Sequence, residues 1–184
     1  MKKLVLLVFL VLTSLTYADT RESFLEGIKG VVKLDFSDGN MYEGQAEECL
    51  ISGQQITCFK GMGVYTFKTG YRYEGEFKDN KPNGQGVFIS PDGQRYQGAF
   101  KDGKLNGKGI MNYPDGRRYE GEFKDNKRDG YGIMTYRDGG LYQEGSRYEG
   151  DWKNDKRDGQ GVMTYLDDGR SLEGEFKEDV FIGG

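Results

Sequence analysis

The 184 residues carry 26 Lys and Arg against 30 Asp and Glu, a formal charge of −4, and no histidine. That balance argues against nucleic acid, whose phosphates reward many basic contacts. The missing histidine removes the commonest general base near neutral pH and the Ser–His and Cys–His nucleophile pairs.

Taken from the N-terminus, the chain opens on Lys2 and Lys3, an apolar run from Leu4 to Leu12, and small residues ending at Ala18. This is the layout of a secretory signal peptide, and the run is too short to span a bilayer. Residues 1–18 are therefore read as a signal peptide and the protein as secreted or periplasmic. Removal takes two lysines and no acid, so the formal charge of −4 becomes −6. Residues 19–40 are expected to form an N-terminal cap and a half repeat. A short helix over 20–29 would cover the first edge, and Phe36-Ser-Asp-Gly39 matches the later Tyr113-Pro-Asp-Gly116.

From 41 to 184 the chain repeats itself. Tyr73-Glu-Gly-Glu-Phe77 returns as Tyr96-Gln-Gly-Ala-Phe100, Tyr119-Glu-Gly-Glu-Phe123 and Tyr148-Glu-Gly-Asp-Trp152, the first three copies at a step of 23 residues. A fixed period in this range marks an array of one supersecondary unit. In the copy that begins at Tyr96, the Tyr-x-Gly-x-Phe spacing has period two and predicts a strand. A polar loop follows, then Gly107-Lys-Gly109, a short second strand from Ile110 to Tyr113, and a Pro114-Asp115-Gly116 turn. Each unit reads as a β-hairpin, and successive hairpins continue one antiparallel sheet. Tyr96, Gly98 and Phe100 share one face; Arg95, Gln97, Ala99 and Lys101 share the solvent face. Glycine inside a strand weakens it unless something approaches closely, and an aromatic ring lying on the neighbouring backbone is the expected occupant. Val87, Ile110, Ile133 and Val162 face one way; Phe88, Met111, Met134 and Met163, with Tyr113, Tyr136 and Tyr165, face the other.

The copies differ in places. In the first, which opens at Tyr42-Glu-Gly44, the Gly61-Met-Gly63 pair arrives eight residues late, and the added stretch holds Cys49 and Cys58. In an exported chain this pair is expected to form a disulfide, closing a loop worth about 2.5–3 kcal/mol on the chain-entropy model. Two cysteines without histidine do not fill a zinc site. The copy at 119 carries an insertion, Gly140 to Gly145, and the last copy, from Leu172, is expected to end after one strand and part of a turn.

Tyr-x-Gly-x-Phe/Trp, a polar loop, Gly-x-Gly and a closing Asp-Gly together resemble the MORN repeat (membrane occupation and recognition nexus), over roughly residues 42 to 183. Members of that family usually carry Trp where this chain has Phe77, Phe100, Phe123 and Phe176; Trp152 alone keeps it. The resemblance implies an all-β fold, an elongated twisted antiparallel sheet of consecutive hairpins, with no cofactor and no metal. It also implies a non-catalytic scaffold that binds a protein partner or self-associates. Every acid here repeats with the period, whereas a catalytic pair would break it. The candidate partner-binding surface is the ring set Tyr73, Phe77, Tyr96, Phe100, Tyr119, Phe123, Tyr148 and Trp152. The family name also brings in membrane lipid headgroups as the alternative, with Lys81, Lys104, Lys127, Arg128, Lys156 and Arg157 as candidate anionic contacts. Glycan binding through exposed rings is a third reading. Function is expected where the repeat breaks: the Cys49–Cys58 loop, the 140–145 insertion, Trp152 and the open edge after Phe176.

Overall fold

The computed structural model describes residues 30–51, 54–137, 145–166 and 169–184. The expected signal peptide, the expected 20–29 helix and all but the last residue of the 140–145 insertion lie outside those residues.

The described residues form one open antiparallel sheet of thirteen strands, paired in sequence order. The strands are β1 (Val31–Asp35), β2 (Met41–Ile51), β3 (Gln54–Thr66), β4 (Arg72–Lys78), β5 (Lys81–Ile89), β6 (Arg95–Lys101) and β7 (Lys104–Asn112). They continue with β8 (Arg118–Lys124), β9 (Lys127–Thr135), β10 (Arg147–Lys153), β11 (Lys156–Thr164), β12 (Ser171–Lys177) and β13 (Val180–Gly183). The stretch expected to be a polar loop is instead the first half of the second strand. In β7, Leu105 faces Phe100 across the pair while Lys104 faces Lys101 on the other side of the sheet. The polar composition there records the solvent face of a strand, not a loop. For the same reason the last copy does not stop after one strand: Val180 and Phe181 pair with Lys177 and Phe176.

Two kinds of turn alternate. Within a hairpin, two residues with positive φ connect the strands, such as Asp79 and Asn80 at 51° and 63° and Asp125 and Asn126 at 48° and 71°. Both dihedral pairs match a type I′ turn, whose twist suits the strands it joins and which favours Asn, Asp and Gly. Between hairpins a longer turn is closed at both ends, for instance by Ser90 N–H donating to Gln94 O (2.9 Å) and Gly93 N–H to Ser90 O (3.0 Å).

Five hairpins break register once, between the central Gly and the residue two further on: Gly44/Ala46, Gly75/Phe77, Gly98/Phe100, Gly121/Phe123 and Gly150/Trp152. The break leaves the intervening carbonyl outside the ladder, and a buried carbonyl needs a donor. The unit's own tyrosine supplies it. Tyr42, Tyr73, Tyr96, Tyr119 and Tyr148 each donate their hydroxyl to the carbonyl three residues on, at 2.6, 2.8, 2.9, 3.0 and 3.0 Å. Reaching it lays the ring on the paired glycine. A Cβ at Gly109 would stand 2.4 Å from the Tyr96 hydroxyl, and one at Gly132 would stand 2.2 Å from that of Tyr119. The expected role of Gly-x-Gly, a bare backbone under a ring, is what the structure shows.

The rings then meet one another. Tyr42 packs edge-on to Phe77 (5.3 Å between centroids), Tyr73 to Phe77 (5.0 Å) and Phe100 (4.9 Å), and Tyr96 to Phe100 (5.1 Å) and Phe123 (5.0 Å). The chain continues through Tyr119, Trp152 and Tyr148 to Phe176. Such T-shaped contacts contribute about 0.5–1.5 kcal/mol each beyond the area they bury. In the first unit Ala46 stands where the others have Phe or Trp. Its cross-strand partner Phe59 fills the gap, stacking on Tyr42 at 3.8 Å.

Candidate protein-binding surface

The eight rings expected to face a partner are spent inside the array. Tyr73, Phe77, Tyr96, Phe100, Tyr119, Phe123, Tyr148 and Trp152 are all buried, none more than 6% exposed. Each tyrosine covers a glycine and meets two other rings, and each Phe or Trp is held between tyrosines of its own and the preceding unit. Burial pushes the Tyr96 and Tyr148 hydroxyls up to about 12 and raises those of Tyr42, Tyr73 and Tyr119 as well. Trp152, expected to mark a functional break, is a core ring whose Nε1–H donates to Gly132 O at 3.2 Å.

The six basic candidates split between the two faces. Lys81, Lys104, Lys127 and Lys156 open the second strand of their hairpins, each paired across the turn with another lysine. They lie on the solvent face, three of them beside acceptors: Lys104 bonds Asp125 at 2.8 Å, Lys127 Asn154 at 3.3 Å and Lys156 Glu178 at 3.4 Å. The Asp125 partnership holds the Lys104 ammonium above its ordinary range and the Asp125 carboxyl below its own. Arg128 and Arg157 are one residue further on and point to the core face. The Arg128 guanidinium lies 4.3 Å over Trp152 and pairs with Asp155; Arg157 lies over Tyr148 and Phe176 and pairs with Asp179. With side chains 17% and 8% exposed, these two arginines lid the core and are not displayed.

Cys49 and Cys58 are bonded to each other, with Cα atoms 6.0 Å apart. The bond crosses the part of the β2–β3 hairpin that overhangs the other units. Glu47 pairs with Cys58 and Cys49 with Ile56, beyond the Ala46–Phe59 pair that ends the shared core.

A displayed pair of adjacent rings lies at the other end of the core face, on residues the periodicity passes over. In the β3–β4 turn the chain reads Phe67-Lys-Thr-Gly-Tyr71, and both rings are exposed, at 37% and 41%. Tyr71 stacks on Phe88 (5.7 Å, 23°) and meets Phe67 edge-on at 6.4 Å. Phe67 packs on Tyr65 (4.7 Å), which touches Phe36 and Phe59 behind it. In two equivalent turns an arginine caps the ring: Arg117 lies 4.9 Å over Tyr113 and Arg170 lies 5.3 Å over Tyr165. The β3–β4 turn has Tyr71 where those turns have a cation, so the cap is replaced by a second exposed ring. The signal in the sequence was the turn itself, Lys-Thr-Gly-Tyr in place of Pro-Asp-Gly-Arg.

A comparison with curated protein sequences finds no match. Among solved structures, the TCP domain of Drosophila melanogaster SAS-4, in complex with a proline-rich motif of Ana2, is 12% identical. It covers 82% of this chain and 92% of its own, with a TM-score of 0.40. The TCP10 domain of Danio rerio CPAP is 18% identical over 87% of this chain and 93% of its own, with a TM-score of 0.32. The family model described as MORN repeat matches residues 73–95, 96–117, 119–141 and 148–170. The units at Tyr42 and Leu172 lie outside that match yet pair into the same sheet. From Tyr73 to Arg170, then, the chain carries four MORN repeats.

Proposed function

We propose that the protein is a non-catalytic repeat scaffold that binds a protein partner through the aromatic patch of Phe67, Tyr71 and Phe88. The observation that supports this most is the contrast between the two ring sets. The periodic rings are buried to within a few percent, whereas Phe67 and Tyr71 are more than a third exposed, contiguous and uncapped. Clustered aromatics held rigidly from behind supply large contact area at low entropic cost, which is the composition of interface anchors. Tyr65 and Phe36 provide that backing. The test is a Phe67→Ser, Tyr71→Ser double variant. Both rings sit on a turn outside the buried chain, so the sheet should persist by circular dichroism while binding of the partner falls at least tenfold. Unchanged binding by a folded variant would remove the patch from the account, and concentration-dependent dimerisation that vanishes in the variant would identify the partner as a second copy.

Lipid-headgroup binding has less to rest on. Two of its six candidate cations lid the core, and three of the four lysines already have an acceptor beside them. Export we infer from Lys2, Lys3 and the Leu4–Leu12 run together with the oxidised Cys49–Cys58 pair. Mass spectrometry of the protein from its native source should find a chain beginning after Ala18 with that bond intact. A mature chain still carrying Met1 to Ala18, or reduced cysteines, would overturn it.

A further inference from the structure

The repeat offers its own comparison on the solvent face. At each register break the ladder leaves a backbone N–H on the second strand facing the residue that bulges from the first. In the unit at Tyr42 the side chain of Gln45 fills the place, its Oε1 accepting from Met62 N–H at 3.0 Å. In the unit at Tyr73 Glu76 Oε1 accepts from Gln85 N–H at 2.8 Å, and in the unit at Tyr148 Asp151 Oδ2 accepts from Gln160 N–H at 3.0 Å. In the unit at Tyr119 the Glu122 carboxylate lies against Gly130, as Glu76 lies against Gly84 and Asp151 against Gly159. Three units thus cap the N–H with their own side-chain oxygen, and a fourth carries a carboxylate against the neighbouring glycine. The unit at Tyr96 has Ala99, which has none, opposite the corresponding Lys108.

The surroundings of Ala99 differ accordingly. A polar depression of about 630 Å³ lies beside it over β7 and β8, lined by Lys101, Lys104, Gly107, Lys108 and Lys124 with four acids. Three of the acids hold polar partners, Asp125 the Lys104 ammonium, Asp129 the Asn154 N–H and Asp102 the Asn83 amide, and Glu122 stands opposite Lys108 in the ladder. Lys101, Lys108 and Lys124 form no ion pair with any described residue. A backbone N–H whose own unit supplies no side-chain acceptor, beside three lysines without ion pairs, favours an anion with charge-assisted hydrogen bonding. The planar carboxylate of Glu76 or Asp151 shows the shape that fits.

We propose that the gap at Ala99 is a carboxylate-binding site that takes an acidic side chain from a protein partner, in the place where the neighbouring units use their own acid. It lies on the solvent face, away from the aromatic patch, and stands or falls independently of it. The probe is a blocked glutamate, N-acetylglutamic acid α-amide, titrated into 15N-labelled protein against sodium chloride at matched ionic strength. The Lys108 amide should move downfield saturably, with half-saturation on the order of 10–100 mM for a single charged hydrogen bond. Ala99→Glu, which installs the residue that two other units already carry, should place the Lys108 amide at the shifted position and abolish the response. Glu76→Ala should transfer the same response to the Gln85 amide. No saturable shift beyond that of chloride, or an equal shift in Ala99→Glu, would overturn the site. A response to inorganic phosphate but not to the blocked glutamate would overturn the ligand class. If Glu76→Ala does not fold, the Ala99→Glu comparison still decides.

Discussion

The tyrosine of each unit does three things with one side chain: it covers a glycine, joins two neighbouring rings and caps a carbonyl that the register break has released. Tyr96→Phe removes only the third. The Ala99 carbonyl then loses its donor while the ring stays, and stability should fall by about 1–3 kcal/mol in a urea titration, with an unchanged m-value. A loss well below that range would mean that water replaces the hydroxyl without cost. The ring-on-glycine contact was legible from Tyr-x-Gly-x-Phe and Gly-x-Gly, because a strand glycine needs a reason. The hydroxyl's target was not, because it depends on a bulge that no residue type announces. Phe59 standing in for Ala46 was hidden for a similar reason: it comes from the opposite strand, and only the register brings the two together. Phe67 and Tyr71 escaped because they do not repeat.

At the scale of the hairpin, neighbouring turns are stitched in a row. Asn80 Oδ1 accepts from Phe59 N–H, Asn126 Oδ1 from Leu105 N–H, Asp155 Oδ1 from Arg128 N–H and Asp179 Oδ1 from Arg157 N–H. The same four turn residues donate their own N–H back, as Asn126 does to Leu105 O at 3.1 Å. One rung differs on both sides at once. Pro82 has no N–H to give, and the turn residue opposite is Gly103, which has no side chain to accept it; only Gly103 N–H to Pro82 O remains, at 2.9 Å. Asn126→Ala would leave Leu105 N–H without its acceptor and place alanine at a φ of 71°, costing about 2 kcal/mol. Amide exchange at Leu105 should accelerate, and exchange at Gly103 should not. The turn row explains why hairpin boundaries were poorly readable. Lys-Asp-Gly-Lys-Leu-Asn looks like a loop in composition, yet two of its residues make the turn and the rest alternate between a solvent face and the core.

Across the molecule the core is one chain of rings and hydroxyls rather than a globular interior, and each unit is held by its neighbours. Its response to alkali follows. In the unfolded chain the five stacked tyrosines ionise near pH 10, whereas burial raises them in the fold, Tyr96 and Tyr148 to about 12. A raised folded value means that stability is intact below pH 10 and is lost as pH rises from there toward 12. The loss is about 1.4 kcal/mol per tyrosine per pH unit. Five groups acting together should give steep unfolding in that window, read by tyrosinate absorbance and circular dichroism together. Tyrosine ionisation near pH 10 with the sheet intact would contradict it. The array as a whole was legible in the sequence because its period was, and the aromatic patch proposed as the partner surface was not, because it lies where the period lapses. The most direct measurement of the central claim, that the periodic rings build the scaffold and the aperiodic ones bind, is site-resolved photo-crosslinking. A photoreactive phenylalanine at Tyr71 should capture one defined protein in the native compartment, and the same group at Glu173 on the solvent face should not. Equal capture at both positions, or capture at Glu173 alone, would contradict the account.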